Sequence, residues 1–124
     1  MSEANQYLQI ATEVLHTESQ ALLDSISRLD SQKLYQIIRT IAESKGKLVV
    51  MGVGKSGHIG AKIAATLSST GTPSFFFLSS EAMHGDLGVI QHDDVILAIS
   101  YSGESEELLN VLPHIKRFGN TLIT

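Results

Sequence analysis

The sequence predicts an α/β fold: a three-layer αβα sandwich built on a parallel sheet and preceded by two N-terminal helices. Three observations predict it. After Gly46, short apolar runs rich in β-branched or aromatic residues alternate with helical repeats, the pattern of strands buried on both faces and joined by crossover helices. Loops rich in glycine and serine follow the first and third of those runs. Before Gly46 the texture is helical throughout. The chain has 124 residues, 43% hydrophobic and 18% charged, enough for one domain with a core.

Residues 1–45 read as a helical pair. Leu8, Leu15, Leu22 and Leu29 recur every seven residues, with Ala11 and Ile26 in a second row beside them. Asp30-Ser31 supplies an N-cap for a second helix in which Leu34, Ile37, Ile38 and Ile41 repeat at i, i+3, i+4, i+7. Gly46 reads as its C-terminal stop. The apolar faces of both helices need cover from a partner subunit or from the domain that follows.

Residues 46–124 read as alternating strand and helix. Lys47–Val53 is the first strand, followed by a helix from about Gly57 to Ser69 with Ile59, Ile63 and Leu67 on one face. Gly71-Thr72-Pro73 breaks that helix. Ser74–Leu78 and Asp94–Ile99 are the next two strands, and a helix from about Glu104 to Phe118 turns Leu108, Leu112 and Ile115 inward. Thr121–Thr124 opens a fourth strand in which the sequence stops, so the sheet is expected to be truncated there. Between the second and third strands, Ser79–Asp93 is too long and too rich in His, Asp and Gly for a plain connection.

Several functional classes are disfavoured. Nine Lys+Arg against thirteen Asp+Glu leave a net charge of −4, which argues against a non-specific grip on nucleic acid. The absence of cysteine removes disulfides, thiolate metal sites and cysteine nucleophiles. The N-terminus lacks the basic and apolar regions of a signal peptide, and no apolar run approaches the roughly 18–20 residues of a membrane span. A soluble, cytoplasmic protein is expected.

The first loop, Gly52-Val53-Gly54-Lys55-Ser56-Gly57, admits three readings. It fits G-x-G-x-x-G between a strand and a helix, the fingerprint of an NAD-dependent Rossmann enzyme, with Glu81 as the acidic ribose ligand. Gly54-Lys55-Ser56 also suggests a nucleotide P-loop, but that motif requires a glycine where Val49 stands. In the third reading the helix N-terminus and the Ser56 hydroxyl hold the phosphate of a sugar, with Lys55 as a mobile cation able to steady a developing oxyanion. The bland alternative is a tight turn with a solvated Lys55.

Ser100-Tyr101-Ser102-Gly103-Glu104-Ser105 occupies the matching place after the third strand. Ligands of open α/β sheets bind at the carboxyl ends of strands. Three hydroxyls and several backbone N–H groups there make an uncharged cradle for a phosphate dianion, assisted by the helix dipole. A serine-rich turn with a single N-cap is the plain alternative.

These loops, together with Ser69-Thr70-Gly71-Thr72-Pro73-Ser74-Phe75-Phe76 and Glu81-Ala82-Met83-His84-Gly85-Asp86-Leu87-Gly88, closely resemble the sugar isomerase (SIS) domain of the arabinose 5-phosphate isomerase family. The resemblance spans positions 49 to 107, and the preceding helices are similar to the family's N-terminal pair. It implies interconversion of D-arabinose 5-phosphate and D-ribulose 5-phosphate through an enediol, without a cofactor, in the synthesis of Kdo for lipopolysaccharide or capsule. Lys55 and Glu107 match catalytic positions: Lys55 as electrostatic stabiliser, Glu107 in proton transfer or in orienting a sugar hydroxyl.

Ser56, Ser100, Ser102 and Ser105 match the phosphate cradle, Gly71 and Thr72 match substrate contacts, and His84 matches a histidine at the sugar end of the pocket. No metal is required by the resemblance, with His84 the residue placed to touch an adventitious zinc ion. Glu107 as a solvated helix acid and His84 as a loop histidine held by backbone are the competing readings, and His58, His92 and His114 are taken as structural. Tyr101 stands where a small polar residue is commoner and Leu78 where a His is often found. The family's remaining catalytic Glu and His, and the CBS module of many members, correspond to sequence beyond Thr124. A homotetramer with shared active sites is implied, and the 124-residue piece alone is expected to be inactive. A phosphosugar-sensing SIS module of a regulator is the alternative from another class, although residues 1–45 lack a basic DNA-reading face.

Overall fold

The computed structural model describes residues 1–82 and 86–124, which fall into two compact units, Met1–Tyr35 and Gln36–Thr124. In the first, α1 (Glu3–Ser25) starts at Ser2, whose side chain accepts from the Asn5 N–H at 3.3 Å. A 3₁₀ turn (Ile26–Arg28) ends it and leaves Leu29 in extended backbone. The leucine row therefore runs through the helix only as far as Leu22. No residue of α1 is buried, and Leu8, Leu15 and Leu22 are all exposed. α2 (Ser31–Glu43) begins as expected: the Asp30 carboxylate accepts from the N–H groups of Gln32 at 2.9 Å and Lys33 at 3.1 Å.

The second unit contains the rest of α2 from Gln36, then β1 (Leu48–Gly52), α3 (Gly54–Ser69), β2 (Ser74–Leu78), the single turn α4 (Ser79–Ala82), a 3₁₀ turn (Asp86–Val89), β3 (Val95–Ile99), α5 (Glu106–Phe118) and β4 (Thr121–Ile123). The strands form one parallel sheet in the order β2-β1-β3-β4. β1 is buried at every position, as its continuous apolar run predicts. Strand residues alternate between two cores. Leu48, Val50 and Val95 pack with Ala64 of α3, whereas Val49, Met51, Phe77, Ile96 and Ala98 pack with Leu108, Val111 and Ile115 of α5. Helices thus cover both faces, which gives the three layers.

Three readings are corrected. The stretch 79–93 is not wholly loop, since it holds α4 and a 3₁₀ turn. Gly46 is not the stop of α2, which ends at Glu43. A Cβ at Gly46 would lie 2.4 Å from the Asp93 carbonyl oxygen and 2.6 Å from the Asp94 carboxylate, so glycine is needed there for close approach to the chain entering β3. Asp94 itself precedes the strand. It is buried, and its two oxygens accept from the N–H groups of Lys47 at 2.7 Å and Gln91 at 2.8 Å.

Candidate functional site

The strand order determines where a ligand fits. β1 leads through α3 to β2 on one side, while β3 leads through α5 to β4 on the other. β1 and β3 are neighbours, and Gly52 pairs with Ile99. The glycine loop and the serine loop therefore leave adjacent strands at the same level, roughly 4.8 Å apart, and diverge. That is the topological switch point, where open α/β sheets bind ligands.

On the β1 side, α3 starts at Gly54, three residues earlier than expected, so Lys55 and Ser56 belong to its first turn. Gly54 takes φ +58° in leaving Val53. A Cβ on Gly52 would come within 3.0 Å of the Gly57 nitrogen and of the Ser56 carbonyl. Here the G-x-G-x-x-G pattern is a packing device that seats the helix start against the strand end. Val53, at the N-cap, has no side-chain acceptor, and the first helical bond is from Gly57 N–H to the Val53 carbonyl. The N–H groups of the first turn consequently face the edge uncapped, where an anion is favoured. Ser56 is half-buried and Lys55 exposed.

On the β3 side, two hydroxyls hold the loop. Ser100 Oγ accepts from the Gly103 N–H at 2.9 Å, and Ser102 Oγ accepts from the Glu104 N–H at 3.1 Å. This revises the expected cradle, since the amides of Gly103 and Glu104 are occupied within the loop. Each accepting hydroxyl still has its own O–H to donate. α5 begins at Glu106 rather than Glu104, with Ser105 at the N-cap but making no capping hydrogen bond. Among the described residues, the Ser105 hydroxyl and the N–H groups of residues 106–108, ahead of the first helical bond from Leu109 N–H to the Ser105 carbonyl, remain available. Glu107 is exposed in this first turn. A hollow of about 490 Å³ adjoins the loop at Ser100, Gly103 and Ser105. Its other lining is largely apolar, including Leu97, Leu108 and Leu112, so it is a neighbour of the cradle and not the cradle itself.

The remaining residues are placed differently. Gly71 and Thr72 precede β2 and line a hollow of about 130 Å³ with Ser44, Gly46 and Leu48. They lie at the amino edge of the sheet, about 16 Å of strand away from the two loops. Within one chain the structure does not bring them to Lys55, Ser56, Ser100, Ser102, Ser105 and Glu107. His84 lies outside the described residues. Leu78 is exposed at the carboxyl end of β2, paired with Gly52, and Tyr101 is fully exposed at the tip of the serine loop. One residue at this edge was not anticipated. Ser79, directly after β2, is wholly buried, and its hydroxyl has no hydrogen-bond partner among the described residues. Its only sequence signal is a pair of serines where an apolar strand ends.

Comparison with known proteins matches the sequence and the fold. A family profile described as SIS domain matches residues 40–124. The chain is 45% identical over 123 residues to the arabinose 5-phosphate isomerase KpsF of Escherichia coli O6:H1, covering 98% of this chain and 38% of that protein. It is 45% identical over 124 residues to the arabinose 5-phosphate isomerase KdsD of Pseudomonas aeruginosa, covering 100% of this chain and 38% of that protein. It thus spans a little over a third of the length of these relatives. A solved structure of E. coli CFT073 c3406 in complex with arabinose 5-phosphate superposes with a TM-score of 0.90 at 42% identity, covering 98% of this chain and 64% of that one. By sequence and by fold, the chain belongs to the SIS domain family.

Proposed function

We propose that this chain is the phosphosugar-binding portion of an arabinose 5-phosphate isomerase. The observation that carries the reading is the Gly52–Ile99 register, from which two strand ends lead at one level to the uncapped starts of α3 and α5. Ser56, Ser100, Ser102 and Ser105 donate to the phosphate, helped by first-turn amides of α3 and α5. Lys55 stabilises the oxyanion of an enediol(ate) formed when the proton on C2 of the aldose is removed and returned to C1. Glu107 transfers a proton or orients a sugar hydroxyl, and His84 lines the sugar end. The relatives' names and the neighbour solved with its sugar phosphate support the substrate.

In the whole protein we place the reaction in the cytoplasm, in supply of the acidic sugar Kdo. Residues 1–45 serve as an interface element and 46–124 as the first part of the SIS domain. Because Gly71 and Thr72 sit at the opposite edge, their role as substrate contacts requires a neighbouring subunit, in keeping with a tetramer. The base itself is assigned to sequence beyond Thr124, so the 124-residue chain is expected to bind phosphosugar without turnover.

The test is conversion of D-arabinose 5-phosphate to D-ribulose 5-phosphate by the whole protein. Activity is expected, and Lys55→Ala should lower kcat at least a hundredfold, as loss of an oxyanion stabiliser does. A folded, whole protein that binds the sugar phosphate but never isomerises it contradicts the proposal.

A further inference from the structure

Charge is segregated between two helices. Residues 1–27 hold Glu3, Glu13, Glu18 and Asp24 and no Lys or Arg, whereas residues 44–80 hold Lys45, Lys47, Lys55 and Lys62 and no acid. α1 therefore carries acids without a Lys or Arg, and α3 carries Lys55 and Lys62 without an acid. In α2 and α5 both signs occur.

Single residues add to the contrast. Leu8, Ala11, Leu15, Glu18 and Leu22 follow one another at steps of three and four, so Glu18 interrupts an exposed apolar stripe of α1. Glu3, Glu13 and Asp24 accept hydrogen bonds from Tyr7, Gln9 and Gln20 one turn away, but Glu18 has no side-chain partner among the described residues. On α3, Gly57, Gly60 and Ala64 are buried toward the sheet. The opposite face exposes Lys55, Ile59, Lys62 and Thr66 at the same spacing, with Lys62 donating to Thr66 at 3.0 Å. That face offers a cation set among an isoleucine and lysine stems, which is what a leucine stripe broken by one acid fits. Pairing of α1 with a second α1 would bring only acids together, and like charges facing each other oppose association.

We propose that this chain associates with a second copy through α1 of each copy lying on the outer face of α3 of the other, with Glu18 meeting Lys62. The contact rests on the interface role proposed above for residues 1–45 and names the surface that fills it. It does not depend on which ligand the site takes. Two equivalent contacts form per pair, so the surface closes on itself. It centres on Lys62, about 10 Å along the helix from Lys55, and leaves the start of α3 to the ligand.

Sedimentation equilibrium of the 124-residue chain at low and high salt tests the contact, with Glu18→Lys, Lys62→Glu and the double variant beside wild type. Wild type is expected to self-associate, and less so at high salt, where screening weakens the attraction. Each single reversal should weaken association about tenfold, and the double variant should recover most of that loss, as only a facing pair does. Both positions are exposed and Glu and Lys have similar helix propensity, so far-UV circular dichroism should not change. Association untouched by Lys62→Glu overturns α3 as the partner while the interface role of residues 1–45 stands. Loss in both single variants without recovery in the double overturns the pairing of Glu18 with Lys62. A wild-type chain that stays monomeric at every concentration defeats the interface role and this inference with it.

Discussion

The two edges of the sheet are built to opposite ends. At the amino edge every entering strand is tied by side chains. The buried Asp94 carboxylate accepts from Lys47 and Gln91, and the Asn120 amide donates to the carbonyls of Gln91 at 2.8 Å and Asp94 at 2.9 Å. Ser44 adds a bond to the Asp93 carbonyl at 3.2 Å. At the carboxyl edge Ser100 and Ser102 hold the serine loop, but α3 and α5 start without side-chain caps and Ser79 has no partner among the described residues. By contrast, α1 and α2 are capped by Ser2 and Asp30. At the amino edge side-chain hydrogen bonds tie the entering strands, although the buried Asn120 Oδ1 has no partner among the described residues. At the carboxyl edge the uncapped starts of α3 and α5 are what the proposed phosphosugar site needs.

This contrast has separable consequences. The largest effect is expected from Asp94→Ala, which strips the acceptor from two backbone N–H groups and should destabilise the unit by about 3 kcal/mol. Urea unfolding measures it, and the fraction still folded should bind phosphosugar as before. Gly46→Ala should cost about 2 kcal/mol, because the added Cβ meets backbone that has little room to yield. Here too the loss belongs to unfolding and not to binding. Ser102→Ala should do the reverse. One exposed loop hydrogen bond is lost, so the melting temperature moves little, while affinity for arabinose 5-phosphate falls about tenfold. Equal losses of stability and affinity in all three variants would erase the distinction between the edges.

The strands and crossover helices were legible in the sequence because their signals are local and redundant. Leu48–Gly52 is uniformly apolar, Ser74–Leu78 carries three phenylalanines, and α5 repeats Leu108, Leu112 and Ile115. The serine and glycine loops were legible as chemistry because their residue types are unusual together. What the sequence hid was set by distant partners. Gly46 resembles a helix stop, but its reason is Asp93, 47 positions away. Asp94 resembles the first residue of a strand, and only the fold brings Lys47 to it. Gly54 is a poor helix former, which masked the early start of α3 and placed Lys55 and Ser56 in a loop. Gly71 and Thr72 matched the family pattern by residue type, yet which edge they occupy follows from chain direction.

In the proposed site a phosphate is held, without arginine, between the starts of α3 and α5. Backbone amide NMR of the 124-residue chain, titrated with D-arabinose 5-phosphate, reads both edges in one experiment. Shifts are predicted to saturate together at residues 54–57 and 100–108, while those at 44–47 and 91–94 stay in place. Shifts confined to one loop, or centred on the amino edge, would contradict it.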